Sequence, residues 1–597
     1  MVQKKLIYLS IFLFLFYSNS FSQWQKLLKE GKDVDVKYLS ESEREEYWKI
    51  LNNRFKKANA TRTRANARSI ILSGNQVQTI IYDYGSISKP GLSAGQLIDL
   101  AWPKDPTKAM GYGYEFGPLV GAQVRDTSGH TIRVVDDGFI SPSDGSYEPG
   151  TDVPWGWLPT PGYVDPNQSN IATFNAPDAN LDGKPDSWPE SWYNPVLRRY
   201  VWPAFLGNDA TTPDEEAYWV MDDFQNFKPE QQVDGSGMGI YRPFPNDPSI
   251  GGLGLQMECR ALQWNNPLAE DIVFFIYAVT NKSPKDLDTV YFGMFGDPHV
   301  GGANDYDDDW AGFITPWDYQ YPLDARNMLY AYDQDGKAGS PFTGRKTGYF
   351  GYKFLESPTN STNNQDDDGD GIIDESPYND AGVYLSTSSQ ILQGIANVEE
   401  YTKNYGAPKP RWSGDEDGDW DPKNDDVGQD GIPGTEDYGE GNGKPDQGEP
   451  NFGFRDVHES DNIGLTSFNA YLFGGENRPK NHKFIWQCFQ PNLRDTTGNI
   501  VIEQKQDNVF IYGSGPFKLA SGQMQRFSIA LLFGEDLNDL VLNSITAQQI
   551  FRANYQFSQP PAKPIVKIVP GDGKVTLYWD SRAEDTYDPL SKEKDFE

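Results

Sequence analysis

The sequence predicts a mainly β protein, with a large β-sandwich core, long acidic loops and a few helices. The chain has 597 residues, with 58 Gly, 42 Pro and 14% aromatic residues. Frequent Gly and Pro are typical of short strands joined by turns, and the aromatic residues supply a core. Because a single core stops growing at roughly 250–300 residues, we expect several domains.

The charge balance is strongly acidic. The chain has 52 Lys and Arg against 86 Asp and Glu, a formal net charge of −34. Nucleic acid is excluded as an expected partner, because phosphate binding needs a basic surface. The aromatic content also separates this chain from acidic disordered tails, which have too few aromatic residues to form a core.

The first 22 residues have the three parts of a secretory signal peptide. Lys4 and Lys5 precede an apolar run at 6–17, and small polar residues follow up to Ser22. This run is shorter than the ~20 residues that a membrane-spanning helix needs. We therefore expect a secreted, extracellular or outer cell-surface protein without a transmembrane span after signal removal.

Residues 23–69 are predicted to form a charged helical segment and linker. Ser40 and Glu43 have the spacing of a capping box, and apolar residues recur at helical spacing after them. The stretch 54–68 is rich in Lys and Arg. A solvated helix end and linker is the favoured interpretation, and a processing or docking site is the alternative.

Residues 70–559 are predicted as the β-rich main region. Strand-like runs lie at 77–84, 131–135, 253–262, 272–280, 290–295, 328–332, 348–354 and 526–533. Turn residues at 265–267 and 281–285 predict that the runs from 253 to 295 form a meander of antiparallel strands. After Asp536, a helix is predicted to pack on the sheet, with Leu537, Val541 and Ile545 on one stripe and Leu540, Ala547 and Phe551 beside it.

Acidic loops interrupt this region at 178–190, 297–309, 366–375 and 415–449. In the clearest loop, Asp366, Asp368, Asp370 and Asp374 stand at positions 1, 3, 5 and 9 of a calcium-type loop. Alternate side chains of a tight turn point inward together and supply the oxygen ligands that a hard cation needs. The other candidate ligands are Asp178, Asn180, Asp182, Asp186, Asp297, Asp305, Asp307, Asp415, Asp417, Asp419, Asn442 and Asp446.

Ca²⁺ is the expected ion for these loops, and a solvated acidic loop is the alternative. Position 12, where an EF-hand has its bidentate Glu, is Pro189 in one loop and Pro377 in another, and no helices are predicted on either side. In both respects the loops resemble those of thrombospondin type 3 repeats. The resemblance is best at 366–375 and looser at 178–186 and 415–449. It implies calcium ions wrapped by runs of carboxylates.

Residues 560–597 are predicted as a separate unit. A Pro-rich linker leads to a strand at 565–569, a Gly-Asp-Gly turn and a second strand at 574–579 that ends in Trp579. This order resembles the start of a fibronectin type III domain, which implies an immunoglobulin-like sandwich with Trp579 pointing inward. Such a sandwich needs roughly 100 residues, so we expect a truncated N-terminal part of that domain.

Several phrases resemble large secreted bacterial surface proteins that contain fibronectin-like modules. They lie at 293–298, 459–468, 514–517 and 532–537. The resemblance supplies no activity that can be assigned to residues of this chain. We expect a structural or adhesive protein without catalysis, whose partners are cell-surface or extracellular matrix components, polysaccharide among them.

Catalysis has little support in the sequence. Residues 91–95 match a nucleophile-elbow pattern, but an ordinary Gly/Ser turn is favoured because no α/β alternation surrounds them. The candidate bases His130, His299, His458 and His482 have no supporting signature. Cys259 and Cys488 leave a disulfide open, since nothing in the sequence places them together.

An extracellular carbohydrate-binding protein or glycoside hydrolase component is the alternative function. Aromatic rings stack on sugars when they are exposed, and they form a core when they are buried, which is the favoured interpretation here. The tryptophans that decide between the two are Trp155, Trp157, Trp188, Trp192, Trp202, Trp219, Trp310 and Trp317.

Overall fold

The fold is described from a computed structural model of the chain. The described residues are 67–88, 100–138 except 106, 156–226, 240–472 except 303, 482–493, 499–502, 508–556, 564–579 except 565 and 572, and positions 43, 581 and 584. The predicted signal peptide, almost all of the predicted N-terminal helix, residues 91–95 and Trp155 lie outside them.

Antiparallel strands are the main regular secondary structure of the described chain. Those in the first half are β1 Ser69–Leu72, β2 Thr79–Tyr82, β3 Ala101–Trp102, β4 Met110–Gly111, β5 Gly113–Arg125, β6 Thr131–Asp137, β7 Leu158–Pro159, β8 Ala172–Thr173, β9 Tyr193–Asn194, β10 Arg199–Tyr200, β11 Pro203–Ala204, β12 Gly207–Asn208, β13 Glu215–Asp222, β14 Leu255–Gln263, β15 Ile272–Asn281 and β16 Leu287–Pro298. Those in the second half are β17 Asp309–Ile314, β18 Met328–Asp333, β19 Tyr349–Glu356, β20 Tyr384–Leu385, β21 Arg411–Trp412, β22 Ser467–Leu472, β23 Asn499–Ile502, β24 Asn508–Leu519, β25 Met524–Gly534, β26 Val566–Gly571 and β27 Lys574–Trp579.

Helices are few in the described residues. They are α1 Ser388–Ile391, α2 Val398–Tyr405, α3 His482–Cys488 and α4 Leu537–Arg552, with short 3-10 turns at Glu190–Trp192, Leu323–Ala325 and Gly453–Arg455. None of the helices in the described part of the chain combines the length and the apolar character needed to cross a bilayer.

Two antiparallel sheets form the centre of the fold. The larger is ten-stranded, in the order β23-β17-β18-β19-β25-β15-β14-β13-β7, with β8 also paired to β13. The smaller is five-stranded, in the order β22-β24-β16-β5-β6. The mainly β fold class and the β-sandwich core are therefore confirmed.

The core lies between the facing sides of these sheets. The Phe292 ring of β16 stacks on the Phe527 ring of β25 with centroids 4.3 Å apart. The Tyr352 ring of β19 lies 5.0 Å from the Tyr512 ring of β24. All four side chains are almost fully buried in one continuous hydrophobic cluster. Such aromatic pairs contribute dispersion beyond simple burial of apolar area.

The outer face of each sheet packs on a helix. On β15, Phe275 and Tyr277 point into the core between the sheets, while Phe274 and Ile276 pack in a second cluster with α4. This alternation follows from the two-residue period of a strand. A third cluster joins α3 to the outer face of the smaller sheet. The sandwich is thus enclosed by helices on both outer faces.

The predicted meander is wrong in its third strand. β14 and β15 pair with each other, but β15 continues to β25, and β16 pairs with β24 and β5 in the other sheet. Asn281 holds the connection, since its side-chain amide donates to Lys285 O and Leu519 O at 2.7 and 3.0 Å. A turn between two strands does not specify whether the second strand returns to the same sheet.

Helix α4 begins as predicted, at an Asp536 N-cap. The Asp536 carboxylate accepts the backbone N–H groups of Asn538 and Asp539 at 2.9 and 3.1 Å. The buried stripe differs from the predicted one by a small rotation of the helix. It contains Leu540, Ser544, Ala547, Ile550 and Phe551. The three residues predicted beside the stripe are thus buried, while Leu537, Val541 and Ile545 are only partly buried.

We expect Asp536→Ala to lower the free energy of unfolding by about 1 kcal/mol, because two N–H groups of the first turn lose their acceptor. Asp536→Asn is the matched control, since asparagine keeps a side-chain acceptor and should cost only a few tenths of a kcal/mol. Urea unfolding curves measure both. Equal losses in the two variants would contradict a capping role.

The C-terminal unit is a two-stranded antiparallel hairpin, β26 with β27. Trp579, which the fibronectin resemblance predicts to point inward, is 66% exposed. A second sheet that would cover this ring is not among the described residues. The assignment to a fibronectin type III domain therefore stays a prediction.

Candidate metal centre

The loop at 366–370 gathers three carboxylates. Oxygen atoms of Asp366, Asp368 and Asp370 lie within 4.8 Å of one another. Asp366 shapes the loop, because its carboxylate accepts the N–H groups of Gly369, Asp370 and Gly371 at 2.6, 3.1 and 3.0 Å. The acids at positions 1, 3 and 5 of the predicted calcium-type loop therefore do lie together.

Asp374, the fourth predicted ligand of this loop, has a different contact set. Its Oδ1 accepts the N–H groups of Asn363 and Asn364 at 2.9 and 3.0 Å, so its carboxylate closes the preceding turn. Its backbone has a φ of 57°, which is the left-handed region. Asp374 is not in the group of oxygens formed by the other three acids.

Two further acids lie against this loop. Asp461 is fully buried, and its carboxylate accepts the N–H groups of Asp367 and Asp374 at 2.8 and 2.9 Å. Glu375 is 1% exposed, and neither of its side-chain oxygens has a hydrogen-bond donor from another residue. Burial, and then the charges of Asp370 and Asp368, raise the pKa of Glu375. Such a carboxylate is costly unless a cation or a proton neutralises it.

The loop at 415–419 forms two overlapping groups of acids. Asp415, Asp417 and Glu459 place carboxylate oxygens within 4.8 Å of one another, and so do Asp417, Asp419 and Asp456. Asp417 belongs to both groups. Tyr401 of α2 holds the loop backbone, because its hydroxyl donates to the carbonyl oxygens of Glu416 and Asp417 at 3.3 and 3.1 Å.

One chain segment, 456–461, lies against both loops, and we call it the acidic segment. Asp456 and Glu459 approach the 415–419 loop, and Asp461 bonds the 366–375 loop. All three acids are at most 1% exposed. The Tyr405 hydroxyl connects the two sides, since it bonds the Asp370 carboxylate and lies 3.2 Å from His458 Nδ1.

The electrostatics of the acidic segment disfavour free carboxylates. Burial, followed by the Asp419 charge, raises the pKa of Asp456 to about 6, although His458 and Arg526 oppose the rise. Burial raises the pKa of Asp461 to about 7. Burial and the neighbouring Glu416 carboxylate raise the pKa of Glu459 well above its usual range. A divalent cation would stabilise the ionised forms of all three.

A third group of acids lies where β17 begins and its paired strand β18 ends, inside the larger sheet's strand order. Asp305, Asp308 and Asp333 form a group with oxygens within 4.8 Å, and Asp333 ends β18. Asp309 is buried beside them and accepts the Val300 N–H at 2.9 Å. Of the predicted ligands, Asp305 belongs to this group, whereas Asp297 and Asp307 do not. Asp297 instead lies 3.2 Å from the His299 ring.

The loop at 178–186 is closed by its own hydrogen bonds. Asp178 accepts the N–H groups of Asp182 and Gly183 at 3.1 and 2.9 Å, and the Asn180 side-chain amide donates to the Asp182 carboxylate at 2.9 Å. Asp186 accepts the N–H of Ala179 at 3.3 Å. These acids are not among the carboxylate groups within 4.8 Å, so a metal role for them stays a prediction.

The loop at 442–446 has backbone hydrogen bonds like those of the 178–186 loop, but the acid that accepts them lies farther back in the chain. Asp426 accepts the N–H groups of Asn442 and Gly443 at 3.1 and 2.7 Å, which is the role of Asp178 in the other loop. The Asn442 side-chain amide bonds the Asp446 carboxylate. Sequence spacing does not identify Asp426, because 15 residues separate it from Asn442.

Sequence reasoning missed Glu375, Asp456, Glu459 and Asp461 as partners of these loops. Asp308, Asp333 and Asp426 belong to acidic clusters that the sequence shows, although they are not among the predicted ligands. Asp456, Glu459 and Asp461 lie close together in the chain, and this concentration of acid is visible in the sequence. Their spacing does not match that of a calcium loop, and only the fold shows which loop each acid approaches.

The tryptophans that would favour sugar binding are not exposed in the described residues. Trp157, Trp188, Trp202 and Trp219 are buried. Trp192, Trp310 and Trp317 are half-buried. Trp188, Trp192 and Trp202 pack on one another with ring centroids 5.3–5.8 Å apart. These rings serve packing, as the favoured interpretation expected.

The histidines have structural surroundings. His482 is buried and its Nδ1 accepts the Val135 N–H at 3.1 Å, and burial lowers its pKa to about 4. His458 Nε2 lies 2.7 Å from Arg552 O. Cys259 and Cys488 are both buried free thiols, which answers the question of a disulfide between them.

No protein-family model matches this chain, and no curated protein matches it.

Proposed function

We propose that this protein is an exported, calcium-stabilised structural or adhesive element of the cell surface or extracellular space, without catalysis. The observation that supports it most strongly is the acidic segment, whose buried acids lie against two carboxylate loops. Ionised carboxylates at this density repel one another, and burial adds a desolvation cost. Bound Ca²⁺ would offset both costs.

Calcium fits the donor set. All ligands available in these groups are carboxylate oxygens, which hard cations prefer, and Ca²⁺ accepts six to eight of them in flexible geometry. Zinc and copper sites would instead use His or Cys. The bound ion would hold the loops against the acidic segment. The carboxylates would supply its ligands, and the fold of the loops would set the shape of the site.

The proposed role follows from where the loops lie. Between β19 and β22, residues 357–466 contain only short helices and two-residue strands. Such a region has few ladder hydrogen bonds to resist local opening and proteolysis. Cations that cross-link its loops would make an extended surface segment durable outside the cell. Cell-surface or matrix components, polysaccharide among them, are the proposed partners.

We expect calcium to raise the melting temperature of the chelator-treated protein and to slow proteolysis within residues 360–450 on the order of tenfold. Calorimetry and mass spectrometry of the cleavage sites measure the two effects. Magnesium at the same concentration should protect less, because it demands octahedral geometry and keeps its waters. Metal analysis of protein purified without chelator should find calcium.

Asp370→Asn should weaken this protection, since one loop loses a charged ligand. Asp288→Asn is the matched control, because that side chain is 84% exposed and lies outside the loops. Identical melting temperatures and cleavage rates in calcium and in chelator would overturn the proposed function.

A further inference from the structure

The 415–419 loop is arranged for more than one ion. Asp415 and Asp419 lie in different groups of oxygens, and Asp417 is common to both groups. A carboxylate has two oxygens with about four lone-pair sites, so one aspartate can bind two cations at once. Two groups that share one carboxylate are what a pair of bridged ions requires.

The acidic segment supplies one of the acids in these groups, Asp456. Asp456 is 1% exposed, and its Oδ1 accepts the His458 N–H at 2.8 Å. Its Oδ2 has no hydrogen-bond partner in the structure. An unsatisfied, buried carboxylate oxygen directed at other acids costs several kcal/mol unless a cation is present.

Glu459 completes the other group. It is fully buried, and its Oε1 accepts the Glu416 N–H at 3.3 Å. Its Oε2 is buried without a hydrogen-bond partner, and the neighbouring Glu416 carboxylate carries the same charge. At neutral pH a cation would remove that conflict.

Two positive groups of the protein act on Asp456. They are His458 and Arg526, and Arg526 already pairs with Glu356 at 2.7 Å. His458 lies beside Asp456, Asp417 and Asp419 and is shared among the three acids.

We propose that the 415–419 loop and the acidic segment form a dinuclear calcium site bridged by Asp417. Asp415 and Glu459 hold one ion, and Asp419 and Asp456 hold the other. This inference rests on the proposed function and adds the number of ions, the bridging residue and ligands from a distant part of the chain. The site fastens the loop to the segment that follows Arg455, which leads back to the sandwich.

The stoichiometry of calcium binding tests this inference. Equilibrium dialysis of the full chain with ⁴⁵Ca²⁺ gives the number of ions per molecule for the wild type and for each variant. Asp417→Asn should bind two ions fewer than the wild type. Asp456→Asn keeps the acceptor for the His458 N–H and should bind one ion fewer. Asp421→Asn, an exposed acid of the same region outside both groups, should bind the full number.

The double variant Asp456→Asn/Glu459→Gln provides a second route that leaves the loop sequence intact. It should also lose two ions, with far-ultraviolet circular dichroism unchanged. Loss of one ion or none in Asp417→Asn and in the double variant, while the wild type binds calcium, would overturn the dinuclear site alone. A wild type that binds no calcium would overturn the proposed function itself.

Discussion

Replacing Arg526 by methionine is expected to lower the free energy of unfolding by about 3–5 kcal/mol. Arg526 is 6% exposed in β25, and its Nε donates to Glu356 Oε1 of the neighbouring strand β19 at 2.7 Å. Glu356 is fully buried, and only the Ser528 hydroxyl, at 2.7 Å from its Oε2, would remain as a donor to its carboxylate. The variant leaves a buried negative charge without its cation.

The same guanidinium also holds the acidic segment. It donates to the backbone carbonyl oxygens of Phe454 and Asp456, the latter at 2.8 Å. Arg526 therefore connects the sandwich to the chain that supplies Asp456 to the metal groups. We expect its loss to leave the buried Asp456 carbonyl and the half-buried Phe454 carbonyl without this donor, which adds to the cost of the unpaired Glu356.

The control for this prediction is Lys518→Met. Lys518 pairs with Asp286 at 2.9 Å, but the two side chains are 57% and 47% exposed. An exposed pair is worth about 0–1 kcal/mol, so this variant should unfold close to the wild type. Urea unfolding followed by tryptophan fluorescence compares the variants. A loss in Arg526→Met no larger than in Lys518→Met would show that the buried pair is not important for stability.

A second large effect is expected from pH, through Asp136 and Asp223. Asp136 in β6 and Asp223 after β13 are at most 1% exposed, and their carboxyls interact directly. Burial raises the pKa of Asp223 to about 7. Burial and the Asp223 charge raise the pKa of Asp136 well above its usual range. The pair is stable when it shares a proton, and it titrates as a unit.

The direction of this pH dependence follows from the numbers of protons that the folded and unfolded states bind. An unfolded Asp has a pKa of about 3.9, so between about pH 4 and pH 7 the folded state binds more protons than the unfolded state. The stabilisation is fully present below about pH 4 and is lost as pH rises through about 7. From pH 5 to pH 8 this loss is about 2–3 kcal/mol, at about 1.4 kcal/mol per pKa unit.

Asp136→Asn should remove this loss. Asparagine keeps an acceptor for the Asn226 amide, which bonds Asp136 at 2.7 Å, and it can donate to Asp223. The difference in unfolding free energy between the variant and the wild type should therefore shift in favour of the variant by about 2–3 kcal/mol from pH 5 to pH 8. Asp288→Asn, an exposed change of the same type, should show no such shift. A pH-independent difference for Asp136→Asn would contradict the prediction.

The sequence predicts where individual strands lie, but it does not predict which strands pair with each other. The runs at 272–280 and 526–533 are strands because their β-branched and aromatic residues suit a sheet that is buried on both faces. Their mutual pairing joins residues more than 240 positions apart, and no local pattern specifies it. The same limit explains why β16 was placed in the wrong sheet.

The candidate metal ligands likewise divide into acids that the sequence predicts and acids that only the fold reveals. Asp366, Asp368 and Asp370 could be predicted because a tight turn brings alternate side chains together within one loop. Asp456 and Glu459 could not, because each comes to its group from a distant part of the chain. Asp333 belongs to an acidic cluster that the sequence shows, but only the fold places it beside Asp305 and Asp308. Asp374 had the expected spacing, yet it bonds the backbone of the preceding turn.

By itself, the sequence determined the fold class, the caps and strands, and the loops that concentrate acid, since these depend on the spacing of neighbouring residues. Only the tertiary structure decided which sheet each strand joins and which distant acids complete each group. It also determined that seven of the eight candidate sugar-binding tryptophans are buried or half-buried, the eighth lying outside the described residues. Burial and charge repulsion depend on groups far apart in the chain, and only the folded packing brings those groups within a few ångströms of one another.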